Sequence, residues 1–180
     1  MTGVDIEPQP KNPHKFIQSC AFDYLKKHGA EYDVIHASSP CQGYSKASKQ
    51  WRKAGKVYPD YIPRVRELLI EIGVPWIIEN VPNSPLINPV VLNGSLFNMN
   101  IHRPRLFETS FYLEQPEVPA MKPVKMGRPV KAGDILQPVG HFSGVAYAKR
   151  EMALPWMGQK ELAQAIPPAY TEWIGRRITF

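Results

Sequence analysis

Apolar residues at helical spacing predict one strong helix near the middle of the chain. Residues 60–72 begin with an aspartate that can cap the first turn, carry a proline in that turn and repeat apolar side chains along one face, and Gly73 follows as the stop. The next apolar run, residues 75–81, is continuous, which is typical of a strand covered on both faces. With the β-rich run 32–37 before them, these segments predict a βαβ unit with a right-handed crossover.

Shorter apolar patterns on either side of this unit predict the remaining elements. Three further strands are predicted at residues 2–6, 16–19 and 106–113. Three further helices are predicted at residues 21–28, 159–165 and 169–178. Residues 114–154 are rich in proline and glycine without periodicity, which predicts a small irregular or β insertion. We therefore expect an α/β protein with an open, mostly parallel sheet, formed by residues 1–113 and 155–180 and interrupted by that insertion.

The composition is typical of a soluble, single-domain protein with a basic surface. Hydrophobic residues make up 43% of the 180 residues, and no apolar run approaches the roughly 18 residues of a membrane helix. The net charge of +6 makes a polyanionic partner plausible, and no membrane partner is expected. Two cysteines, Cys20 and Cys41, are too few for a disulfide framework or a zinc site, and the N-terminus lacks the pattern of a secretory signal. We expect a cytoplasmic protein, bacterial or in a phage-infected host cell, that needs no metal.

Three reactive side chains lie at or just beyond the ends of predicted strands, namely Asp5, Cys41 and Glu79. Because the ligand crevice of an open parallel sheet lies beyond the carboxyl ends of its strands, these positions are candidates for a functional site. A thiol and a carboxyl group that face one crevice can act as nucleophile and proton donor. Each residue also has a structural interpretation: Cys41 as a small buried apolar residue, Glu79 as the first exposed residue after a strand, and Asp5 as a cap.

Three motifs surround these residues in a fixed order. Pro40-Cys41-Gln42 follows the first strand of the βαβ unit, Glu79-Asn80-Val81 ends the second, and Arg103-Pro104-Arg105 precedes the next predicted strand. A fourth segment, Ala165-Ile166-Pro167-Pro168, precedes the last helix. In this order the motifs resemble the DNA (cytosine-5) methyltransferase family, and most closely its short, phage-type members. The resemblance implies an incomplete Rossmann-like domain of the class I methyltransferase type.

The resemblance also implies a role for each motif residue. Cys41 would add to C6 of a cytosine rotated out of the duplex, and Glu79, protonated in a partly dry pocket, would donate to N3 of the ring. Asn80 would brace the loop, Arg105 would hold cytosine O2 and Glu79, and Arg103 would order the loop that carries Cys41. A methyl group would then pass to C5 of the cytosine from S-adenosylmethionine. For the two arginines a surface role as phosphate clamps stays open.

The segment after Cys41 is basic and aromatic, and next to this nucleophile it is predicted to contact double-stranded DNA. The candidate contacts are Gln42, Tyr44, Lys46, Lys49, Arg52 and Lys53. If the four basic residues among them and Lys56 all bind phosphates, log K should fall with log salt at a slope of about −4.5. The alternative is an ordinary solvated face.

Residues 114–154 occupy the place of the family's target-recognition region. The candidate readers of phosphates or bases there are Lys122, Lys125, Arg128, Lys131, His141, Lys149 and Arg150. His141 could equally be a satisfied loop histidine, which is the interpretation we prefer.

The chain departs from the family at the methyl-donor site. By resemblance, Asp5 and Ile6 would hold the adenosine of S-adenosylmethionine and Pro40 would line its site, but the Gly-rich turn Phe-x-Gly-x-Gly and its βα unit are missing from the sequence. Cys20 stands where the family has an aspartate. Loss of a central strand would leave an unpaired edge, which favours a second polypeptide or a homo-oligomer that completes the sheet.

Three hypotheses therefore remain open from the sequence. The first is a methyltransferase whose cofactor site is completed by a partner. The second is a cytosine-adding enzyme that uses another one-carbon donor, or none. The third is a non-catalytic DNA-binding relative that flips or masks cytosines.

Overall fold

The computed structural model describes residues 1–124 and 128–178, with short strands and helices alternating along the first half. The strands are β1 (Thr2–Asp5), β2 (Lys15–Gln18), β3 (Ile35–Ser38), β4 (Trp76–Asn80), β5 (Val90–Leu92) and β6 (Arg105–Thr109). The α-helices are α1 (Ala21–His28), α2 (Lys49–Lys53), α3 (Ile62–Ile72), α4 (Val145–Glu151), α5 (Gln159–Leu162) and α6 (Pro168–Gly175). Within the described ranges, no helix has the length and apolar character needed to cross a bilayer.

The strands form two separate sheets. Strands β1 and β2 pair in parallel, and the larger sheet has the order β3-β4-β6-β5. Strands β3 and β4 are parallel, whereas β6 runs antiparallel to both of its neighbours, β4 and β5. The α/β class is confirmed, but the mostly parallel sheet is found only in part. The reason is that β4 is followed by two short antiparallel strands instead of a second helical crossover.

The helix and strand of the predicted βαβ unit are confirmed. The Asp60 carboxylate accepts a hydrogen bond from the Ile62 N–H at 3.0 Å, and α3 ends at Gly73, whose φ of 79° is the left-handed conformation that favours glycine. Its apolar stripe, which includes Val65 and Leu69, packs against β3 and β4. Every residue of β4 is buried, as its continuous apolar run predicts.

Helices cover both faces of the larger sheet. Leu69 of α3 and the half-buried Phe22 of α1 pack on one face, while Tyr170 and Ile174 of α6 pack on Phe107 of β6 on the other. Because β3 and β4 are parallel, their carboxyl ends lie side by side. The loops that follow these two strands therefore lie at one edge of the sheet.

The predicted irregular insertion contains more structure than its sequence indicates. Helix α4 lies inside it, and Phe142, Ala148 and Met152 form a third apolar core there. That core also includes Ile101 and Leu162, so its packing extends beyond residues 114–154 on both sides. Among the candidate readers in this region, Lys125 lies outside the described residues.

Candidate active site beyond the ends of strands β3 and β4

The parallel register of β3 and β4 brings two of the predicted site residues to the same edge. Ser38, at the end of β3, is the partner of Glu79 on β4, and Cys41 lies three residues after Ser38. The Asn80 side chain joins the two chain segments, because its Nδ2 donates to the Ser39 carbonyl oxygen at 2.9 Å. This contact fixes the start of the loop that carries Cys41, as expected for a bracing residue.

Glu79 is a buried carboxyl group and not the first exposed residue after a strand. Only 7% of the residue is accessible, and its Oε1 lies 2.9 Å from Arg105 Nε on the neighbouring strand β6. Burial raises the pKa of the Glu79 carboxyl, while Arg105, Ser38 and Arg103 act to lower it, and burial outweighs them. A carboxyl group in this environment holds its proton to higher pH than an ordinary glutamate.

Arg103 is fully buried, which removes the alternative of a surface phosphate clamp for this residue. Its guanidinium donates from Nη1 to the Pro138 carbonyl oxygen at 2.7 Å and from Nη2 to the Ala163 carbonyl oxygen at 2.9 Å. Burial foremost lowers the pKa of Arg103 to about 9, with Arg105 adding to the effect and the nearby Cys41 opposing it. Nε has no hydrogen-bond partner among the described residues.

Arg103 is predicted to order the Cys41 loop, but its hydrogen bonds support this role only in part. Its two hydrogen bonds join the segment around Pro138 to the segment before α6, and neither reaches that loop. What Arg103 offers Cys41 is a nearby positive charge.

Cys41 itself is a free, half-buried thiol at the start of a tight turn. Its carbonyl oxygen accepts hydrogen bonds from the Tyr44 N–H at 3.0 Å and the Ser45 N–H at 2.9 Å. The turn leaves the side chain partly accessible instead of sealing it in the core. The structural interpretation of Cys41, as a small buried apolar residue, is therefore not supported.

Arg52 is predicted from the sequence to contact DNA. In the structure its side chain instead stabilises the Cys41 loop. Its Nη1 donates to the Gln42 carbonyl oxygen at 2.7 Å and to the Ser45 carbonyl oxygen at 2.8 Å. Tyr44 was also predicted to contact DNA, but its hydroxyl is buried, and burial raises its pKa, as does the nearby Asp60. Arg52 therefore stabilises the loop, and the buried Tyr44 hydroxyl is not available to DNA.

The remaining predicted DNA contacts are exposed. Lys46, Lys49 and Lys53 surround a shallow depression of about 480 Å³ on the surface of α2 and the turn before it. We call these three residues the lysine face. Gln42 is also exposed, and Trp51, on the same helix, is 55% exposed. An exposed aromatic ring among lysines is a surface suited to nucleic acid.

Of the residues predicted to bind the methyl donor, Asp5 and Ile6 lie at the end of β1 in the smaller sheet, and Pro40 follows β3 of the larger sheet. Asp5 Oδ1 accepts a hydrogen bond from the Glu7 N–H at 2.9 Å, and Oδ2 has a longer contact of 3.4 Å with Gln9 Nε2. Ile6 is 68% exposed, and Pro40, beside Cys41, is exposed as well. Asp5 and Ile6 therefore present an exposed carboxylate and an exposed apolar side chain side by side.

Two residues that position Arg103 were not assigned a role from the sequence. Asn93 accepts a hydrogen bond from the Arg103 N–H at 2.7 Å through its buried Oδ1, and the Tyr170 hydroxyl donates to the Arg103 carbonyl oxygen at 3.0 Å. After Asn93, Gly94 packs so closely that a Cβ would lie 2.0 Å from the Ile101 carbonyl oxygen. The Asn-Gly pair was a visible signal for a close approach of two backbone segments.

Comparison with known proteins adds no assignment, since no family model and no curated protein matches the chain. The functional proposal therefore rests on the residues and their geometry.

Arg103 should be important for stability as well as for the site. Replacing it with methionine leaves the carbonyl oxygens of Pro138 and Ala163 without their donors. Since an unsatisfied buried carbonyl costs about 1–3 kcal/mol, the free energy of unfolding should fall by about 3 kcal/mol. Urea unfolding followed by circular dichroism measures this change.

Tyr170→Phe is the matched control, because it removes a single hydrogen bond to the Arg103 backbone. It should cost about 1 kcal/mol. If Arg103→Met costs no more than Tyr170→Phe, the two guanidinium contacts contribute little to the fold.

Proposed function

We propose that the protein transfers a methyl group to C5 of cytosine in double-stranded DNA, through a covalent bond between Cys41 and the base. The observation that carries the proposal is a buried Glu79, whose pKa burial raises, at the same sheet edge as the partly accessible thiol of Cys41. Arg105 and Arg103 place positive charge beside both groups. An incomplete Rossmann-like methyltransferase domain is part of the same proposal.

The residues of this chain account for the activation of the ring. Cytosine C5 is a poor nucleophile until a thiolate adds at C6, which forms the S–C6 bond and pushes the C5=C6 electron pair towards N3 and O2. Glu79 gives its proton to N3, and Arg105, already bonded to Glu79, neutralises the charge that develops at O2. After methyl transfer, loss of the C5 proton to water expels the thiolate from C6 and re-forms the C5=C6 bond, and the N3 proton returns to Glu79, which restores both the ring and the enzyme.

S-adenosylmethionine, when bound, would supply the electrophilic methyl group. The exposed Asp5 and Ile6 would hold its nucleoside end, and Pro40, next to Cys41, would line its site. The sequence has no Gly-rich turn for the methionine end. We therefore propose that residues outside this chain complete the cofactor site.

The experiment that tests the proposal separates nucleophilic addition from methyl transfer. In 5-azacytosine a nitrogen replaces C5, so the electron pair released by thiolate addition can take up a proton there, and an adduct forms without a methyl donor. A duplex with 5-azacytosine should give a complex that resists denaturation, whereas an unmodified duplex should not. A duplex with 5-fluorocytosine should do so only with S-adenosylmethionine and a complete cofactor site.

The outcomes separate the open hypotheses. DNA binding without any adduct on 5-azacytosine leaves the non-catalytic DNA-binding relative. Adducts on 5-azacytosine but none on 5-fluorocytosine, even with candidate partners present, leave an enzyme that adds to cytosine without S-adenosylmethionine.

DNA binding through the lysine face predicts a characteristic salt dependence. Each phosphate neutralised contributes about −0.9 to the slope of log K against log salt, so changing Lys46, Lys49 and Lys53 to alanine together should reduce its magnitude by about 2.7. Fluorescence anisotropy of a labelled duplex at several salt concentrations measures the slope.

Arg52→Ala is the matched control, since Arg52 lies on the same helix but bonds to loop carbonyls. It should leave the slope unchanged and slow adduct formation on 5-azacytosine. If Arg52→Ala instead reduces the magnitude of the slope by as much as the loss of one lysine should, Arg52 itself binds a phosphate.

A further inference from the structure

Ser38 is the residue of β3 that lies directly beside Glu79 in the larger sheet. The two strands are parallel, and their register makes Ser38 and Glu79 partners. Successive side chains of a strand alternate between the two faces of the sheet, so register partners place their side chains on the same face. The Ser38 hydroxyl and the Glu79 carboxyl are therefore neighbours on one face.

The apolar cores show which face the two side chains share. Trp76 and Ile78 of β4 pack in the core that contains the stripe of α3, whereas Ile77 packs in the core that contains α6. Since the side chains of β4 alternate, Glu79 lies on the face covered by α6, and Ser38 lies there with it. Glu79 is buried on this face, but Ser38, on the outermost strand of the sheet, is exposed.

The Glu79 carboxyl has donors on both neighbouring strands. Strand β4 lies between β3 and β6, and Arg105 of β6 places its Nε 2.9 Å from Glu79 Oε1. Ser38 approaches from the β3 side. Burial raises the pKa of the carboxyl, while Arg105 and then a hydrogen bond from the Ser38 side chain act to lower it. Two donors on opposite sides restrict the orientation of the carboxyl group.

We propose that Ser38 is a positioning residue for proton transfer by Glu79. Its hydroxyl donates to the carboxyl, holds that group at the end of β4, and stabilises the carboxylate that remains once the proton has passed to N3 of the cytosine. The proton leaves Glu79 and Ser38 keeps its own. This inference deepens the proposed function and rests on it.

The expected effect on the rate follows from the two protonation states of Glu79. A hydrogen bond to an ionised carboxylate is about twice as strong as one to a neutral carboxyl group. The bond from Ser38 therefore strengthens as the proton moves from Glu79 to N3. Interactions that are stronger in the transition state than in the ground state are the ones that accelerate a reaction.

Charged and titratable groups also surround Glu79 on the elements packed around it. They are Arg105 on β6, Arg103 just before β6, Cys41 in the loop after β3, Tyr170 on α6 and His36 on the same face of β3. Substitutions at Ser38 leave all five in place. A difference in pH dependence between variants of Ser38 therefore reports on its hydroxyl.

The rate of adduct formation on 5-azacytosine duplexes, measured at a series of pH values, tests the proposal. Ser38→Ala should lower the rate by about fivefold to tenfold. Glu79 must be protonated to act, so the rate falls as the pH rises through its pKa. Without the hydroxyl the carboxylate takes up its proton more readily, so this alkaline limb should move to higher pH in Ser38→Ala.

Ser38→Thr and Ser38→Val form the matched pair, because their side chains are similar in shape and only threonine has a hydroxyl. Ser38→Thr should keep the wild-type rate and pH profile, whereas Ser38→Val should behave like Ser38→Ala. The same pH profile for Ser38→Thr and Ser38→Val, or a fall in rate without a shift of the alkaline limb, would overturn the proposal.

A titration of the Glu79 carboxyl by ¹³C NMR on the free protein makes a second test that needs no DNA. The pKa of Glu79 should be higher in Ser38→Ala and Ser38→Val than in the wild type and Ser38→Thr. Equal pKa values in all four proteins would also overturn the proposal. If this shift is found but the wild type forms no adduct, the proposed chemistry fails and the hydrogen bond from Ser38 is supported, so the two failures are distinguishable.

Discussion

Replacing Cys41 with serine is expected to lower the rate of adduct formation on 5-azacytosine duplexes by about 10⁴-fold or more. The thiolate is the nucleophile that adds to C6, and a serine hydroxyl is a far weaker nucleophile that does not ionise near neutral pH. The serine side chain retains the size and the turn of Cys41, so DNA binding should change little. Denaturing gel electrophoresis of the protein–DNA complex measures the adduct.

Cys20→Ser is the control for this substitution. Cys20 is the other cysteine, is also free and half-buried, and lies between β2 and α1, away from Glu79. It should form adducts at the wild-type rate. Adduct formation by Cys41→Ser, or its loss in Cys20→Ser alone, would place the nucleophile elsewhere.

The sequence predicts those elements in which a local pattern and the tertiary structure agree. Helix α3 has an aspartate just before its N-cap that accepts from its first N–H, a stop glycine and a stripe that packs on the sheet, and β4 is buried along its whole length. Strand β5 has only three residues between a proline and Asn93, which is too short to show a period. Helix α4 was missed because prolines and glycines on either side masked its seven residues.

In the candidate site, too, some residues are predictable from the sequence and others are not. Strand order and register bring Cys41, Glu79 and Asn80 to the same sheet edge. The three residues were predictable because each lies at or just beyond a strand end. The partners of Arg103 and Arg52 are backbone carbonyls, which every residue has, so no sequence pattern distinguishes them. For this reason the sequence assigns Arg52 to DNA and Arg103 to the ordering of the Cys41 loop. The hydrogen bonds of the two arginines do not fully support these roles.

Some buried polar pairs have no sequence signal at all. Glu108 on β6 is 4% exposed and accepts hydrogen bonds from Arg66 on α3 and from the Ile87 N–H. Its carboxylate is as buried as that of Glu79, but it ties a helix and a loop to the sheet. The neighbouring cysteine, and not burial alone, separates the candidate catalytic carboxyl from the structural one.

Glu79→Gln is expected to slow adduct formation by about 10²- to 10⁴-fold, because glutamine cannot give a proton to N3 of the cytosine. Its amide has nearly the same shape and can still accept a hydrogen bond from Arg105. The affinity for DNA should therefore stay close to that of the wild type. A loss of affinity as large as the loss of rate would mean that Glu79 serves binding instead of proton transfer.

The charge of Arg105 should set the pH range over which Glu79 keeps its proton. The guanidinium favours the carboxylate, so it lowers a pKa that burial raises, and Arg105→Leu should move the pKa of Glu79 further up. A titration by ¹³C NMR of carboxyl-labelled glutamate, assigned with Glu79→Gln, measures this shift. Arg176→Leu, which removes an exposed arginine paired with Glu172, should leave it unchanged. A downward shift in Arg105→Leu would show that its main effect on Glu79 is to exclude water, since losing charge alone can only raise the pKa.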